Sequence, residues 1–280
     1  MPGVALYELL KCPVCAAAPA PGRATCIGCG RRIGGTGGAL DLLGDSARDA
    51  ADRFAIKYRA LRRQEGWIGA DGREDPAAGD TKLWRRRLES VAQAAEILRG
   101  EATAARRLVV ADIGSGGGWA ARYLDGADVI AIDLLEAAGG SDALHVRGDM
   151  RSLPVRDGSL DAALYIASLH YAPVGDAIRE AARTLRGGGL IVAVDSPMYK
   201  DPRAQAGARA RSAAYYSKAG FPELADTYHP IDVTALRAEL TQSRFDIRQL
   251  DTGPTSRRWW ERWRRPSHPS LLVARLMPAQ

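Results

Sequence analysis

From Arg107 onward, short apolar runs recur along the chain at Leu108–Ile113, Val129–Ile132, Ala143–Val146, Ala162–Ile166, Leu190–Val194, Phe245–Leu250 and Leu271–Leu276. Their length and their Gly and Asp boundaries mark strands. Helical stretches separate most of them, notably Gly117–Leu124, Val174–Arg186 and Asp232–Ser243. This alternation predicts an α/β fold, a seven-stranded Rossmann-like doubly wound sheet, with ligands outside the carboxyl ends of the strands. The last two runs lack a long crossover, so an antiparallel hairpin at the sheet edge is expected.

Upstream, the period changes to that of helices. Residues 46–64 place Phe54, Tyr58 and Leu61 on one face, and Thr81–Gly100 carries a stripe of Leu83, Trp84, Leu88, Val91, Ala95 and Leu98. Between them, residues 65–80 are rich in Gly, Ala and Asp and predict a loop. The triplet Arg85-Arg86-Arg87 reads first as a solvated helix face, with an anion-facing role as the alternative. The expected organisation is a small module over 1–44, a helical linker over 45–104, and a sheet domain over 105–280 with an insertion at 197–230.

The four cysteines change the picture of the N-terminus. Cys12 and Cys15, then Cys26 and Cys29, form two C-x-x-C pairs with ten residues between them. Such pairs predict a tetrahedral Zn2+ site of four thiolates in a small ribbon. Disulfides and a redox-active pair are the alternatives. Four protein ligands leave no open coordination position, so the zinc is expected to be structural.

The first strand of the sheet domain runs into Asp112-Ile113-Gly114-Ser115-Gly116-Gly117-Gly118. Alternate glycines let the chain turn sharply and bring bare backbone to a ligand. The dinucleotide fingerprint would need glycine where Trp119 stands, and the carboxylate of Asp112 favours a ligand with a positive group. Asp133 ends the second strand, where a ribose diol would be met, and Asp149 and Met150 follow the third, suited to an adenine edge and face. The plainer alternative makes Asp112 and Asp133 turn and cap residues.

Residues 105–195 resemble the class I S-adenosylmethionine-dependent methyltransferases. Asp112 through Gly118 matches that family's first motif; Leu153–Asp161 is similar to the approach to its fourth strand, and 177–190 to its next helix, glycine turn and strand. The resemblance implies methyl transfer from S-adenosyl-L-methionine, with Asp112, Gly114, Ser115, Gly116, Gly118, Asp133, Asp149 and Met150 at the cofactor. Leu9 through Cys15 resembles the zinc-ribbon activators of tRNA and rRNA methyltransferases, and the module is also similar to the ribbon of bacterial rRNA guanine methyltransferases. After Asp133 the sequence departs from the family, with Leu134-Leu135-Glu136 and a Gly-rich stretch replacing a longer helix.

A sulfonium methyl is already activated, so alignment and a base for the acceptor proton are the remaining needs. His170, after the fourth strand, is the candidate catalytic base, with a packing role as the alternative; Tyr171 has similar standing. His145, His229 and His268 are expected to be structural or superficial. Residues 197–230 would cover the acceptor as a lid. Segment 256–265 holds five Arg, three Trp and one Glu. It packs as an amphipathic helix, lies on an anionic membrane surface, or stacks on RNA.

Composition narrows the partners. In 280 residues, 46% hydrophobic and 26% charged residues exclude disorder over most of the chain. The longest uncharged run, Ala162–Gly175, is 14 residues, short of the roughly 20 that a membrane span needs. With no export signal either, a cytoplasmic enzyme is expected. The favoured acceptor is a small or lipid-like molecule. RNA, suggested by the ribbon and the net charge of +6, is the alternative, and a silent binding protein docking through the ribbon is the second. No feature specifies an oligomer.

Overall fold

The computed structural model describes residues 4–69, 81–103, 106–136, 143–252 and 270–278. In chain order the elements are α1 (Val4–Glu8), β1 (Leu40–Asp41), α2 (Asp45–Gln64), α3 (Thr81–Arg99), β2 (Leu108–Ile113), β3 (Ala127–Asp133), β4 (Leu144–Arg147), β5 (Leu160–Ile166), α4 (Val174–Thr184) and β6 (Leu185–Val194). There follow β7 (Met198–Tyr199), α5 (Pro202–Ala219), β8 (Ile231–Asp232), α6 (Val233–Gln242), β9 (Phe245–Asp251) and β10 (Leu271–Leu276).

The seven apolar runs all become strands of one mixed sheet, ordered β1-β4-β3-β2-β5-β6-β10-β9. Strands β4, β3, β2, β5 and β6 pair in parallel. Such strands are covered on both faces, which is why they read as continuous apolar runs. Side chains alternate between the faces. Ala163 and Tyr165 of β5 join one core, with Ile178 and Ala181 of α4 and Leu236 and Leu240 of α6. Ala162, Leu164 and Ile166 join the other, with Trp84, Val91, Ala95 and Leu98 of α3. The order reverses between β2 and β5, and the cleft at that switch is where a doubly wound sheet binds its ligand.

The final antiparallel hairpin forms at the sheet edge as expected, with β10 between β6 and β9 and antiparallel to both. Two features differ from the pattern expected of the sequence. The expected helix at 117–124 is only a short 3-10 turn, Trp119–Tyr123, because thirteen residues separate the end of β2 from the start of β3. An eighth strand joins the sheet. This is β1, which pairs in parallel with β4, Leu40 opposite Val146 and Asp41 opposite Arg147.

That eighth strand ties the cysteine segment to the sheet. Leu6, Leu10, Ile33, Leu40 and Leu42 are buried in the same core as Ile130, Ile132 and Val146. The backbone is stitched as well: Lys11 N–H donates to the Pro154 carbonyl (3.0 Å) and Arg156 N–H to that of Leu9 (2.8 Å). Arg156 also donates to the Glu8 and Ala16 carbonyls. A segment of this size is too small to bury its own apolar side chains, and here the sheet supplies the missing partner surface.

The stretch 197–230 is anchored at its two ends, since β7 and β8 pair in parallel, Met198 with Ile231 and Tyr199 with Asp232. Between them α5 starts on Asp201, whose carboxylate accepts the Arg203 N–H (2.9 Å), and stops at left-handed Gly220. Tyr216 and Leu224 then pack on Leu61, beside Phe54 and Tyr58 of α2. Residues 256–265 and His268, on which three readings were left open, lie outside the described residues.

Candidate active site

The loop after β2 turns by placing every second residue in the left-handed region: φ is 72° at Gly114, 57° at Gly116 and 72° at Gly118. Side chains disfavour that region by roughly 1–2 kcal/mol per residue, which explains the alternation of glycine. At Gly114 a Cβ would also lie 2.5 Å from that of Ser168 and 3.3 Å from the Met150 methyl. The loop is closed against β3, with Gly114 N–H donating to the Ile132 carbonyl (2.8 Å) and Gly118 N–H to that of Ser115 (2.9 Å). Ser168 fixes the other side by donating to the Ile113 carbonyl (2.5 Å).

The acids stand at the strand ends, as the sequence implied. Asp133 accepts the Gly116 N–H on Oδ2 and the Leu135 N–H on Oδ1, both at 2.8 Å, so it organises the loop it faces. Asp112 is buried at the end of β2. Asp149 follows β4 and is gripped by Arg151 through its Nε (3.0 Å) and a second guanidinium nitrogen (2.6 Å).

A cavity of about 300 Å³ opens at the switch point. Asp112, Gly114, Ser115, Gly116, Asp133, Asp149 and Met150 all line it; Gly118 and His170 are not among its lining residues. Gly118 instead precedes the 3-10 turn that carries Trp119. The group implied by the sequence fits: bare backbone at Gly114 and Gly116, a carboxylate at the ribose position, and an apolar side chain beside an acid at the adenine position.

A second group of lining residues was not legible from the sequence. It comprises Phe54 and Tyr58 of α2, Trp67, Trp84 and Arg87 of α3, Trp119 and Tyr171. Trp84 meets Trp119 edge-on at 5.5 Å and Trp67 at 6.0 Å. Arg62 is buried with its guanidinium 4.5 Å from the Tyr58 ring and 4.2 Å from that of Trp67. It donates to Glu65 (2.6 Å) and to the Tyr171 hydroxyl (3.2 Å). Burial opposes its charge, but Tyr58, Tyr171 and Glu65 leave its pKa raised overall. The basic triplet splits: Arg85 is exposed, Arg86 pairs with Asp195 (3.0 Å), and Arg87 turns into the cavity wall.

The insertion contributes Asp226, Thr227 and His229 to the same wall. His229 N–H donates to the His170 carbonyl (2.8 Å), which links the insertion to the turn after β5. His170 itself is buried beside Tyr171 and Tyr228, with no hydrogen-bond partner for Nδ1. Burial, with the charges of Arg87 and Arg62 nearby, pushes its pKa down to about 3. His229 is shifted down too, by partial burial and by Arg209 and Arg151.

The four cysteine sulfurs lie within 4.8 Å of one another. Cys12 and Cys29 are 3.8 Å apart and Cys15 and Cys26 3.5 Å, far beyond a disulfide bond. Four sulfurs about 2.3 Å from a tetrahedral zinc would be about 3.8 Å apart, so the cluster has the size such an ion needs. Arg147 joins this region to the cavity wall. It pairs with Asp52 of α2, lies 3.6 Å from Asp41 of β1, and donates to the Leu134 carbonyl (3.0 Å).

Comparison with known proteins agrees with this geometry. Residues 111–193 match a family described as a methyltransferase domain. Among solved structures, geranyl diphosphate methyltransferase in complex with GPP and sinefungin is similar in fold, at 19% identity and a TM-score of 0.52, over 80% of this chain and 98% of that one. The [4+2]-cyclase SpnF is similar at 16% identity and a TM-score of 0.51, over 85% and 98%. The YcgJ protein of Bacillus subtilis is similar at 16% identity and a TM-score of 0.50, over 69% and 100%. None of the curated proteins matches the chain. At these identities the likeness is one of fold, and the cyclase shows that one fold serves more than one reaction. Residues 111–193 therefore match a methyltransferase domain, and the chain shares the Rossmann-like fold of these structures.

Proposed function

We propose that this protein transfers a methyl group from S-adenosyl-L-methionine to a small-molecule or lipid-like acceptor. The observation that carries the reading is a single cavity whose wall combines the glycine loop, Asp112, Asp133, Asp149 and Met150 with a set of mutually contacting aromatic side chains. When bound, S-adenosylmethionine supplies an electrophilic methyl on a sulfonium. Asp133 and the loop backbone would hold its ribose and amino-acid part, Met150 and Asp149 its adenine. The chamber would hold the acceptor in line and keep water away.

A walled chamber supports a small acceptor over a nucleic acid base within a folded RNA. The geranyl diphosphate methyltransferase, solved in complex with GPP and sinefungin, supports the same class. The lid reading for 197–230 gains support from Asp226, Thr227 and His229, which reach the cavity from it. Among the described residues, no helix is long and apolar enough to cross a membrane.

For the acceptor proton, His229 is the better-placed imidazole. It lines the cavity, whereas His170 packs behind it with a pKa near 3, too weak a base for neutral pH. We therefore assign His170 to positioning Tyr171 and the insertion. The four cysteines hold a structural zinc, supported by their spacing and by the all-sulfur donor set.

The test uses labelled S-adenosylmethionine with separate small-molecule, lipid and RNA extracts, and calorimetry with S-adenosylhomocysteine. Label entering the small-molecule or lipid fraction is expected; label in RNA alone would refute the acceptor class. Asp133→Ala is expected to weaken S-adenosylhomocysteine by about 1.5–3 kcal/mol, the cost of a charged hydrogen bond. His229→Ala should lower kcat while leaving that affinity unchanged.

A further inference from the structure

We propose that the acceptor is a flat, anionic small molecule, its ring held among tryptophans and its acidic group met by Arg87. This rests on the methyl-transfer reading and names the substrate class of the same cavity.

Three observations carry it. First, the cavity wall carries aromatic faces and edges, with Phe54, Tyr58, Trp67, Trp84, Trp119 and Tyr171 drawn from separated parts of the chain. Aromatic walls of this kind favour a planar body through offset or edge-on ring contacts. Second, the chamber contains a guanidinium that structure-building does not use. Arg62 is committed to Glu65 and Tyr171, Arg151 to Asp149, and Arg86 to Asp195. Arg87 lies 5.6 Å from the Trp67 ring, forms no ion pair among the described residues, and its buried Nε has no hydrogen-bond partner. Third, Trp84 and Arg87 both line the cavity and are three residues apart on α3, so ring and charge share a face of that helix.

The Nε atoms of Trp84 and Arg87 are closed off from the cavity, so contact with a ligand falls to the terminal guanidinium nitrogens of Arg87. They offer a planar fork for a carboxylate or phosphate. The carboxylates of the wall do not cancel this charge in place. Asp149 is held by Arg151, Asp133 accepts the Gly116 and Leu135 N–H groups, and Asp226 is exposed on the insertion.

The experiment compares 1-naphthoate, 2-naphthyl phosphate and benzoate with neutral 1-naphthamide, by calorimetry and tryptophan quenching, on the full chain with and without S-adenosylhomocysteine. At least one acid is expected to bind, and the naphthoate roughly tenfold or more tighter than its amide, as for a charge-assisted hydrogen bond. Arg87→Gln should abolish that preference and Arg87→Lys keep part of it, with S-adenosylhomocysteine affinity unchanged in both. The proposal is overturned if the amide binds as tightly as the acid, if the preference survives in Arg87→Gln, or if no acid binds a protein that binds S-adenosylhomocysteine. Failure to bind S-adenosylhomocysteine overturns the cofactor reading instead, and the acid-to-amide ratio of the free protein still decides the role of Arg87.

Discussion

Replacing Arg147 by methionine probes whether the cysteine segment supports the cofactor site or merely adjoins it. The side chain is 6% exposed and makes three contacts of unequal weight. The bond to the Leu134 carbonyl, next to Asp133, is a charged donor in a nearly dry setting, and such bonds contribute about 1.5–3 kcal/mol. The pair with Asp52 is discounted, because that carboxylate is half exposed and such pairs contribute about 0–1 kcal/mol. Asp41 retains two bonds from Arg48, at 2.5 and 3.1 Å, so its charge stays compensated. Methionine recovers some burial, which leaves a net loss of about 2 kcal/mol. With an unfolding entropy of about 2.1 cal/mol/K per residue, the melting temperature should fall by about 3 °C. Because Arg147 directly precedes Gly148 and Asp149, the freed Leu134 and Asp149 loops should also weaken S-adenosylhomocysteine about three- to tenfold. Calorimetric melting and titration measure the two effects. A lowered melting temperature with unchanged cofactor affinity would show that the Asp41–Arg147–Asp52 contacts serve folding alone.

Three further outcomes follow from the geometry. Gly114→Ala should cost about 2–5 kcal/mol of stability, from left-handed strain and the collision with Ser168, and should abolish S-adenosylhomocysteine binding; urea unfolding and calorimetry will detect both. Cys26→Ser should reduce zinc below the one ion per chain expected by elemental analysis of the purified protein, and should loosen the sheet edge at β1 and β4 along with residues 4–44, visible as faster amide exchange in both. His170 is neutral in the fold and protonates near its ordinary pKa when unfolded, so the unfolded chain binds the extra proton. Stability should therefore fall as pH drops below about 6.5, by up to about 1.4 kcal/mol per unit, until the folded pKa of about 3, and His170→Gln should flatten this slope in urea titrations.

What the sequence determined by itself is what neighbouring residues decide. The parallel strands and β10 were legible because a strand buried on both faces is apolar throughout, whereas the edge strand β9 keeps only Phe245, Ile247 and Leu250 apolar. The glycine loop was legible because left-handed backbone at Gly114, Gly116 and Gly118 has almost no other solution. The cysteine cluster was legible because two tight C-x-x-C turns carry their own metal geometry. Tertiary structure alone decided what depends on distant partners. Nothing local to Leu40–Asp41 says that it will complete the edge of a sheet whose next strand lies a hundred residues on. Arg85, Arg86 and Arg87 are one basic run in sequence, yet helix geometry and the neighbours of α3 give them solvent, Asp195 and the cavity in turn. The placing of His170 and His229 depends on distant partners in the same way. The insertion folds back, and His229 rather than His170 is among the residues that line the cavity.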